Sequence, residues 1–295
     1  MNIKKAVIPV AGKGTRFLPA TKEIPKEMIP IVNKPMIQYV VEEAVASGIE
    51  EIVFVTSTGK QTIENYFDRN FELEGFLDKN EKFEELNLCK HIGDMIKIVA
   101  VRQKEQLGLG HAILCAKDVV GTENFAVLLG DDLVWSKEPV TKQLIEVSNR
   151  NYNSCVIGVM EVNKNDTDKY GIVDGEYMAE DDKTLKMKSM VEKPNPSEAP
   201  TNLATPGRYI LTPEIFTALE KIPRGVGGEY QLTDAINLLA RKEDVFAHVF
   251  EGDRFDTGNI PSYLNAVVEF SLRFPETEKI MKDIIRDKVE KYNIR

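Results

Sequence analysis

The chain has 295 residues, 42% of them hydrophobic and 29% charged, with a net charge of −9. That balance fits one large soluble α/β domain or two small ones, and the acidic sign disfavours nucleic acid and anionic membrane as partners. No apolar run approaches the roughly 18 residues of a membrane span, no signal-peptide pattern opens the chain, and the widely spaced Cys89, Cys115 and Cys155 read as small buried residues in a reducing cytoplasm, not as a zinc site.

Ala6-Val7-Ile8-Pro9-Val10 reads as a short buried strand. Beyond a Gly-rich loop, Pro35 suits the first position of a helix. Met36, Ile37, Val40, Val41, Ala44 and Val45 share one face of it, and Gly48 stops it. A second strand covers 51–56, helical patterns follow at 60–68 and around 79–88, and the acidic stretch 71–88 resembles a surface excursion. A third strand at 96–101, a helix at 109–118 and a fourth strand at 125–129 ending on Gly130-Asp131-Asp132 complete the first half. Strands alternating with helices predict a mixed, mainly parallel sheet covered on both faces, with ligands beyond the strands' carboxyl ends. The second half has strand patterns at 155–160, 171–174, 185–191 and 207–211, some joined without a helix. That predicts an added sheet region closing over a substrate. Helices at 213–221 and 233–241 and a strand at 245–250 follow. Residues 259–293 read as two helices, the last with a stripe of Met281, Ile284, Ile285 and Val289. The stripe either docks on the parent fold or forms a subunit interface.

The loop after the first strand, Ala11-Gly12-Lys13-Gly14-Thr15-Arg16-Phe17-Leu18-Pro19, runs on to Pro25-Lys26-Glu27. Two glycines let backbone approach a ligand, and N–H groups exposed there can cradle phosphate. A dinucleotide fingerprint needs a third glycine where Phe17 stands, and Pro19 keeps Leu18 out of the α region. A P-loop needs a different spacing. Residues 1–34 carry seven Lys/Arg against two Glu. Such a reversal of the overall sign is what a polyanion pocket needs.

These residues, with Ala20-Thr21-Lys22 and Met28-Ile29-Pro30, resemble the signature of the sugar-1-phosphate nucleotidyltransferases, most closely the bacterial UTP–glucose-1-phosphate branch. Lys13 departs from the usual neutral residue and adds charge beside the phosphates. The resemblance continues through Gln103, Asp131, Tyr170-Gly171, Glu192-Lys193-Pro194, residues 228–236 and Phe255-Asp256-Thr257-Gly258, in the family's order. It implies a Rossmann-like fold of the nucleotide-diphospho-sugar transferase type. A catalytic domain spans 1–258, with a nucleotide half to about 135 and a sugar-side half from about 150. The C-terminal helices, 259–295, are a candidate oligomer interface for a homodimer or homotetramer.

It also implies the chemistry: attack of glucose-1-phosphate on the α-phosphorus of UTP, giving UDP-glucose and pyrophosphate with Mg²⁺. Arg16, a planar fork of donors, suits the triphosphate and departing pyrophosphate; Lys26, a compact charge, suits the α-phosphate. Ala11, Gly12, Gly14 and Thr15 fall to the nucleotide. Asp131 and Asp256 match the family's metal-binding positions, and one or two carboxylates plus phosphates is the usual Mg²⁺ arrangement. Asp131 also falls to the nucleotide, and Asp132 reads as a loop or helix cap. Gln103 and Gly108 fall to a uracil or thymine base. A Gln amide can flip and serve cytosine instead, so groups near Gly108 and Glu27 must fix the choice. Gly171, Glu192 and Lys193 fall to the sugar and its phosphate; Glu192 and Lys193 reach one site only if their strand ends there, as Pro194 suggests. Thr233 is a candidate N-cap, and Gly225-Val226-Gly227-Gly228 a candidate lid. His91, His111 and His248 show no nucleophile–base pattern and read as structural or exposed. The residue types leave dTTP open, since one methyl group is worth only about 1–3 kcal/mol. They also leave open a non-catalytic nucleotide-sugar sensor; Phe17 and Pro19 disfavour a nicotinamide enzyme.

Overall fold

The computed structural model describes residues 3–294. The opening apolar run forms β1 (Lys5–Pro9), and the loop after it makes only short 3-10 turns, with Leu18 extended at ψ 141°. A small ladder of β2 (Pro30–Ile31) and β3 (Lys34–Pro35) leads into α1 (Met36–Ala46). Pro35 therefore lies one place earlier than the sequence suggests, at the N-cap. Next come β4 (Glu51–Thr56), α2 (Gln61–Tyr66), α3 (Phe71–Lys79), α4 (Phe83–Gly93) and β5 (Lys97–Arg102). The surface excursion is thus largely helical. The sequence pattern hides α3 because few of its side chains are buried, Glu74 and Leu77 among them; the Asn70 side chain caps it by accepting from Leu73 N.

The predicted helix at 109–118 is two, α5 (Leu109–Cys115) and α6 (Lys117–Val120), stopped by Gly121 at φ 71°. Then β6 (Phe125–Leu128), β7 (Asp132–Trp135), α7 (Val140–Arg150) and β8 (Cys155–Glu161) follow. The second half adds β9 (Gly171–Met178), β10 (Asp181–Glu192), β11 (Leu203–Thr205), β12 (Arg208–Leu211), α8 (Glu214–Leu219), α9 (Leu232–Ala240), β13 (Val245–Val249) and β14 (Asp253–Asp256). Last are α10 (Ile260–Arg273) and α11 (Pro275–Tyr292).

Ten strands make one sheet in the order β11-β9-β10-β13-β8-β12-β6-β1-β4-β5. The block β6-β1-β4-β5 is parallel, as is β13–β8, while the other ladders of the second half are antiparallel. Hairpin-type connections such as β9 to β10 account for this, because they need no crossover helix. The added region is therefore continuous with the first half. The central strands β1, β4 and β6 are buried on both faces, which is why they read as unbroken apolar runs, whereas edge strand β5 and β10 are partly exposed. Val7, Val53 and Val127 face one core with α5, α8 and α9; Ala6, Ile8, Ile52 and Phe54 face the other with α1, α7 and α10. β7 and β14 form a separate two-stranded ribbon, with Asp132 opposite Asp256. No described helix is long and apolar enough to cross a membrane.

Candidate active site

The Gly-rich loop leaves the carboxyl end of β1 between two hollows. Gly12 and Lys13 line one, of 700 Å³, with Thr21–Pro25, Ser57–Lys60 and Arg102–Gln106. Arg16 lines the other, of 610 Å³, with Asp131, Tyr170, Gly171, Glu192, Lys193 and Asp256. Gly14 sits at φ +64°, a left-handed turn that a Cβ would strain, and a Cβ there would press on Lys26 Cβ at 3.3 Å. Its carbonyl accepts from Thr21 Oγ1 at 2.7 Å. The Ala11 carbonyl accepts from Ser57 Oγ at 3.0 Å and Gln106 Nε2 at 2.6 Å, tying three segments at the rim of the first hollow.

At the seam between the hollows, Lys26 forms an ion pair with Asp131. Burial alone would lower the Lys26 pKa, but Asp131 and Glu27 outweigh it and raise it. Burial likewise pushes the Asp131 carboxyl up, yet Lys26 wins and holds it below the usual range. Both groups stay charged at neutral pH. Thr257 donates from N (3.0 Å) and Oγ1 (2.6 Å) to the Asp131 carbonyl, docking the end of β14 on the end of β6. Gly258 N donates to Asp256 Oδ1 at 2.7 Å, and Arg16 Nη1 to Gly258 O at 3.5 Å. A Cβ placed on Gly258 would lie 2.9 Å from Asp256 Oδ1, 3.4 Å from Asp131 Oδ2 and 3.5 Å from Arg16 Nη1. Asp131, Asp256 and Arg16 therefore converge on one small volume. Among the described residues no cluster of three or more His, Cys, Asp or Glu could hold a metal. Two carboxylates with room beside them fit Mg²⁺, which keeps waters and phosphate oxygens as its remaining ligands.

Gln103, just past β5, is buried at the wall of the first hollow. Its Nε2 lies 3.2 Å from Gly108 O and 3.0 Å from His111 Nδ1. In the second hollow, β10 ends at Glu192 opposite Gly171, and Lys193 turns with φ 46°. That turn lets two consecutive side chains line one hollow, as Pro194 suggests. Thr233 is the second residue of α9, not its N-cap; its hydroxyl donates to Glu192 Oε2 at 2.6 Å. A Cβ on Gly171 would come within 2.4 Å of Met190 Cε and 3.0 Å of Thr205 Cγ2, so the close approach there is to neighbouring side chains.

The model for nucleotidyl transferases matches residues 5–271. The chain belongs to the nucleotidyl transferase family. It is 49% identical over 285 residues to the UTP–glucose-1-phosphate uridylyltransferase of Staphylococcus epidermidis, covering 97% of this chain and 98% of that one. Among solved structures, a UTP-bound UGPase from Acinetobacter baumannii is 45% identical, with a TM-score of 0.89 and 96% and 98% of the two chains covered. A UDP-glucose pyrophosphorylase complexed with UDP-glucose is 41% identical, with a TM-score of 0.84 and 92% and 100% covered.

In this nucleotidyl transferase the fold brings Arg16, Lys26, Asp131 and Asp256 together at the seam, Gly12 and Gln103 at one hollow, and Gly171, Glu192 and Lys193 at the other. Thr15 is exposed, and like Gly108 it lies outside the lining of both hollows. Glu27 is buried beneath the site and bonded to Lys60 Nζ at 2.8 Å; burial pushes its carboxyl up against the pull of Lys60. Three features escape sequence reasoning. Lys60 supplies the counter-charge for Glu27. Asp132 is buried in a fork from Arg254 (Nε–Oδ1 2.7 Å, Nη2–Oδ2 3.0 Å), and Arg254 also donates to Tyr170 Oη at 2.8 Å. His111 meets Gln103. Arg254 and Asp256, two apart in β14, share a face, but nothing in that spacing points to Asp132 on the neighbouring strand.

Proposed function

We infer that this chain transfers a uridylyl group from UTP to glucose-1-phosphate, releasing pyrophosphate and UDP-glucose. The observation that carries this reading is the pair of hollows meeting at a cationic, carboxylate-bearing seam. One has a buried amide at its wall, the other a carboxylate and a lysine. The uridine chemistry named for relatives of 41–50% identity supports UTP over dTTP, and their enzymatic names set the silent sensor aside.

The nucleophile is a phosphate monoester with a second pKa near 6, so at pH 7 it needs no general base. That agrees with a seam lacking histidine. The barrier is the approach of one polyanion to another, lowered by alignment and by neutralising charge. In this reading the base enters the first hollow, the hexose the second, and the phosphates cross the Gly12–Arg16 loop. Arg16 grips the triphosphate and leaving pyrophosphate, and Lys26 exchanges Asp131 for α-phosphate oxygens. Asp131 and Asp256 would hold Mg²⁺, which supplies charge neutralisation across both substrates. Backbone at Ala11, Gly12, Gly14, Thr15 and Gly108 positions the nucleotide. Glu27 acts from below through Lys60, and Glu192 and Lys193 take sugar hydroxyls and sugar phosphate, with Gly171 beside them. A cytoplasmic setting suits these substrates and three free cysteines, and the exposed apolar faces of the C-terminal helices suit a homodimer or homotetramer.

Pyrophosphate release with Mg²⁺ and glucose-1-phosphate, compared across the four NTPs and several sugar phosphates, tests the reading. The expected result is fast release with UTP alone and loss of activity with EDTA. Equal rates for dTTP, or release without a sugar phosphate, would overturn it.

A further inference from the structure

We infer that His111 sets the base preference of this site by fixing which way the Gln103 amide faces. The inference rests on the uridylyl-transfer reading for its substrate. Gly108 O, 3.2 Å from the Gln103 side chain, can only accept, so the amide must turn its NH₂ towards it. The second N–H then points at His111 Nδ1, 3.0 Å away, which accepts as a neutral imidazole with its proton on Nε2. Two acceptors thus hold the nitrogen, and reversing the amide would set its oxygen against both.

The oxygen is left for a ligand. Among the described residues nothing donates to Gln103 Oε1, and no buried side-chain polar atom lacks a partner. An unpartnered Oε1 on a buried residue must therefore touch solvent, and Gln103 lines the first hollow. An acceptor there pairs with a pyrimidine carrying hydrogen on N3, as uracil does. Cytosine presents an acceptor at N3 and is repelled. His111 is itself held from the second half of the chain. Its ring stacks on Tyr230, with centroids 6.1 Å apart. Tyr230 N donates to Leu107 O at 2.8 Å, and Tyr230 O accepts from Gly110 N at 2.9 Å. Tyr230, two residues beyond the glycines of the candidate lid, thus buttresses the base-reading loop.

The test is His111→Phe, which keeps a ring for Tyr230 but removes the acceptor, with His111→Asn as a conservative replacement that retains one. His111→Leu is a second acceptor-free variant should the phenylalanine disturb folding. For each, kcat and KM are measured with UTP and CTP, and nucleotide binding is followed by calorimetry. The acceptor-free variants are expected to lose roughly five- to tenfold in the UTP:CTP ratio of kcat/KM, chiefly through KM, with Gly108 retaining the rest. His111→Asn should recover most of it at unchanged melting temperature. An unchanged ratio in both acceptor-free variants would overturn the inference. If the native chain binds UTP over CTP but releases no pyrophosphate, and His111→Phe loses that binding preference, the transfer reading falls while the role of His111 stands.

Discussion

Arg16 and Lys26 are both cations of the seam, but they are tied into the fold differently. The one hydrogen bond of Arg16 among the described residues is the 3.5 Å contact to Gly258 O, and its side chain is exposed. Lys26 is half-buried against Asp131. Removing one partner of a buried pair leaves the other charge without compensation. Arg16→Ala is therefore expected to lower turnover at least about a hundredfold with little change in melting temperature. Lys26→Ala should lower turnover comparably and also melt earlier. Equal melting of both variants, or near-native turnover in either, would contradict this. Residues of this kind were legible because the motif is contiguous: Gly12 to Arg16 and Lys26 lie within one stretch whose charge opposes that of the chain. Lys60, Asp132 and His111 were not legible as site residues. Their roles come from partners at 27, 254 and 103, and no local period links those positions.

Among elements, the β7–β14 ribbon does most to join the two carboxylates at the seam. Its strands are four residues each, and Asp253-Arg254-Phe255-Asp256 lacks the apolar content that made the large sheet readable. The central parallel strands β1, β4 and β6 were legible because burial on both faces makes them unbroken apolar runs. The ribbon combines one buried apolar pair, Leu133 opposite Phe255, with a cross-strand ion pair. Asp132 is opposite Asp256 in the register, and Arg254, two residues earlier, grips Asp132 through both carboxylate oxygens. The fork pins β14 to β7 two residues from Asp256, so under the proposed reading Arg254 would help position Asp256 beside Asp131 for Mg²⁺. Arg254→Lys keeps the charge but cannot form the fork or reach Tyr170 in the same geometry. The variant should need about tenfold more Mg²⁺ for half-maximal activity, the size seen when a group behind a metal ligand is lost. Its UTP:CTP ratio should not move, because Gln103 lies at the other hollow. Mg²⁺ titrations of native and variant chains decide it; an unchanged half-maximal concentration would remove Arg254 from the metal's support.

At the scale of the molecule, the two C-terminal helices differ in how they meet the rest. α10 is built into the core: Phe270 is buried among Tyr39, Trp135 and Phe255, and Tyr263 meets Phe17 of the Gly-rich loop edge-on at 5.7 Å. α11 has no buried residue, and Ile280, Ile284, Ile285 and Val289 are exposed along it. α10 also leaves Ile260, Leu264 and Val268 exposed at i, i+4 and i+8, one stripe of a helix. The stripe borders an apolar hollow of 520 Å³ formed with Phe17, Leu18, Pro19, Ala20 and Ile29. Under the proposed reading this face of α10 and the hollow beside it would meet a second copy of the chain, which presents the same face for a two-fold contact. Such a contact would rest on the residues next to Arg16, linking assembly to the phosphate loop. The native 33.3 kDa chain should therefore sediment as a dimer or tetramer, and Leu264→Glu as a monomer. Leu264 is already 56% exposed, so the charge should cost the isolated fold little, and the variant should keep its secondary structure by circular dichroism. Loss of assembly should also raise the KM for UTP severalfold, because Leu18 would lose its cover beside Arg16. A native chain that sediments as a monomer at micromolar concentration would refute the interface and leave the seam chemistry untouched.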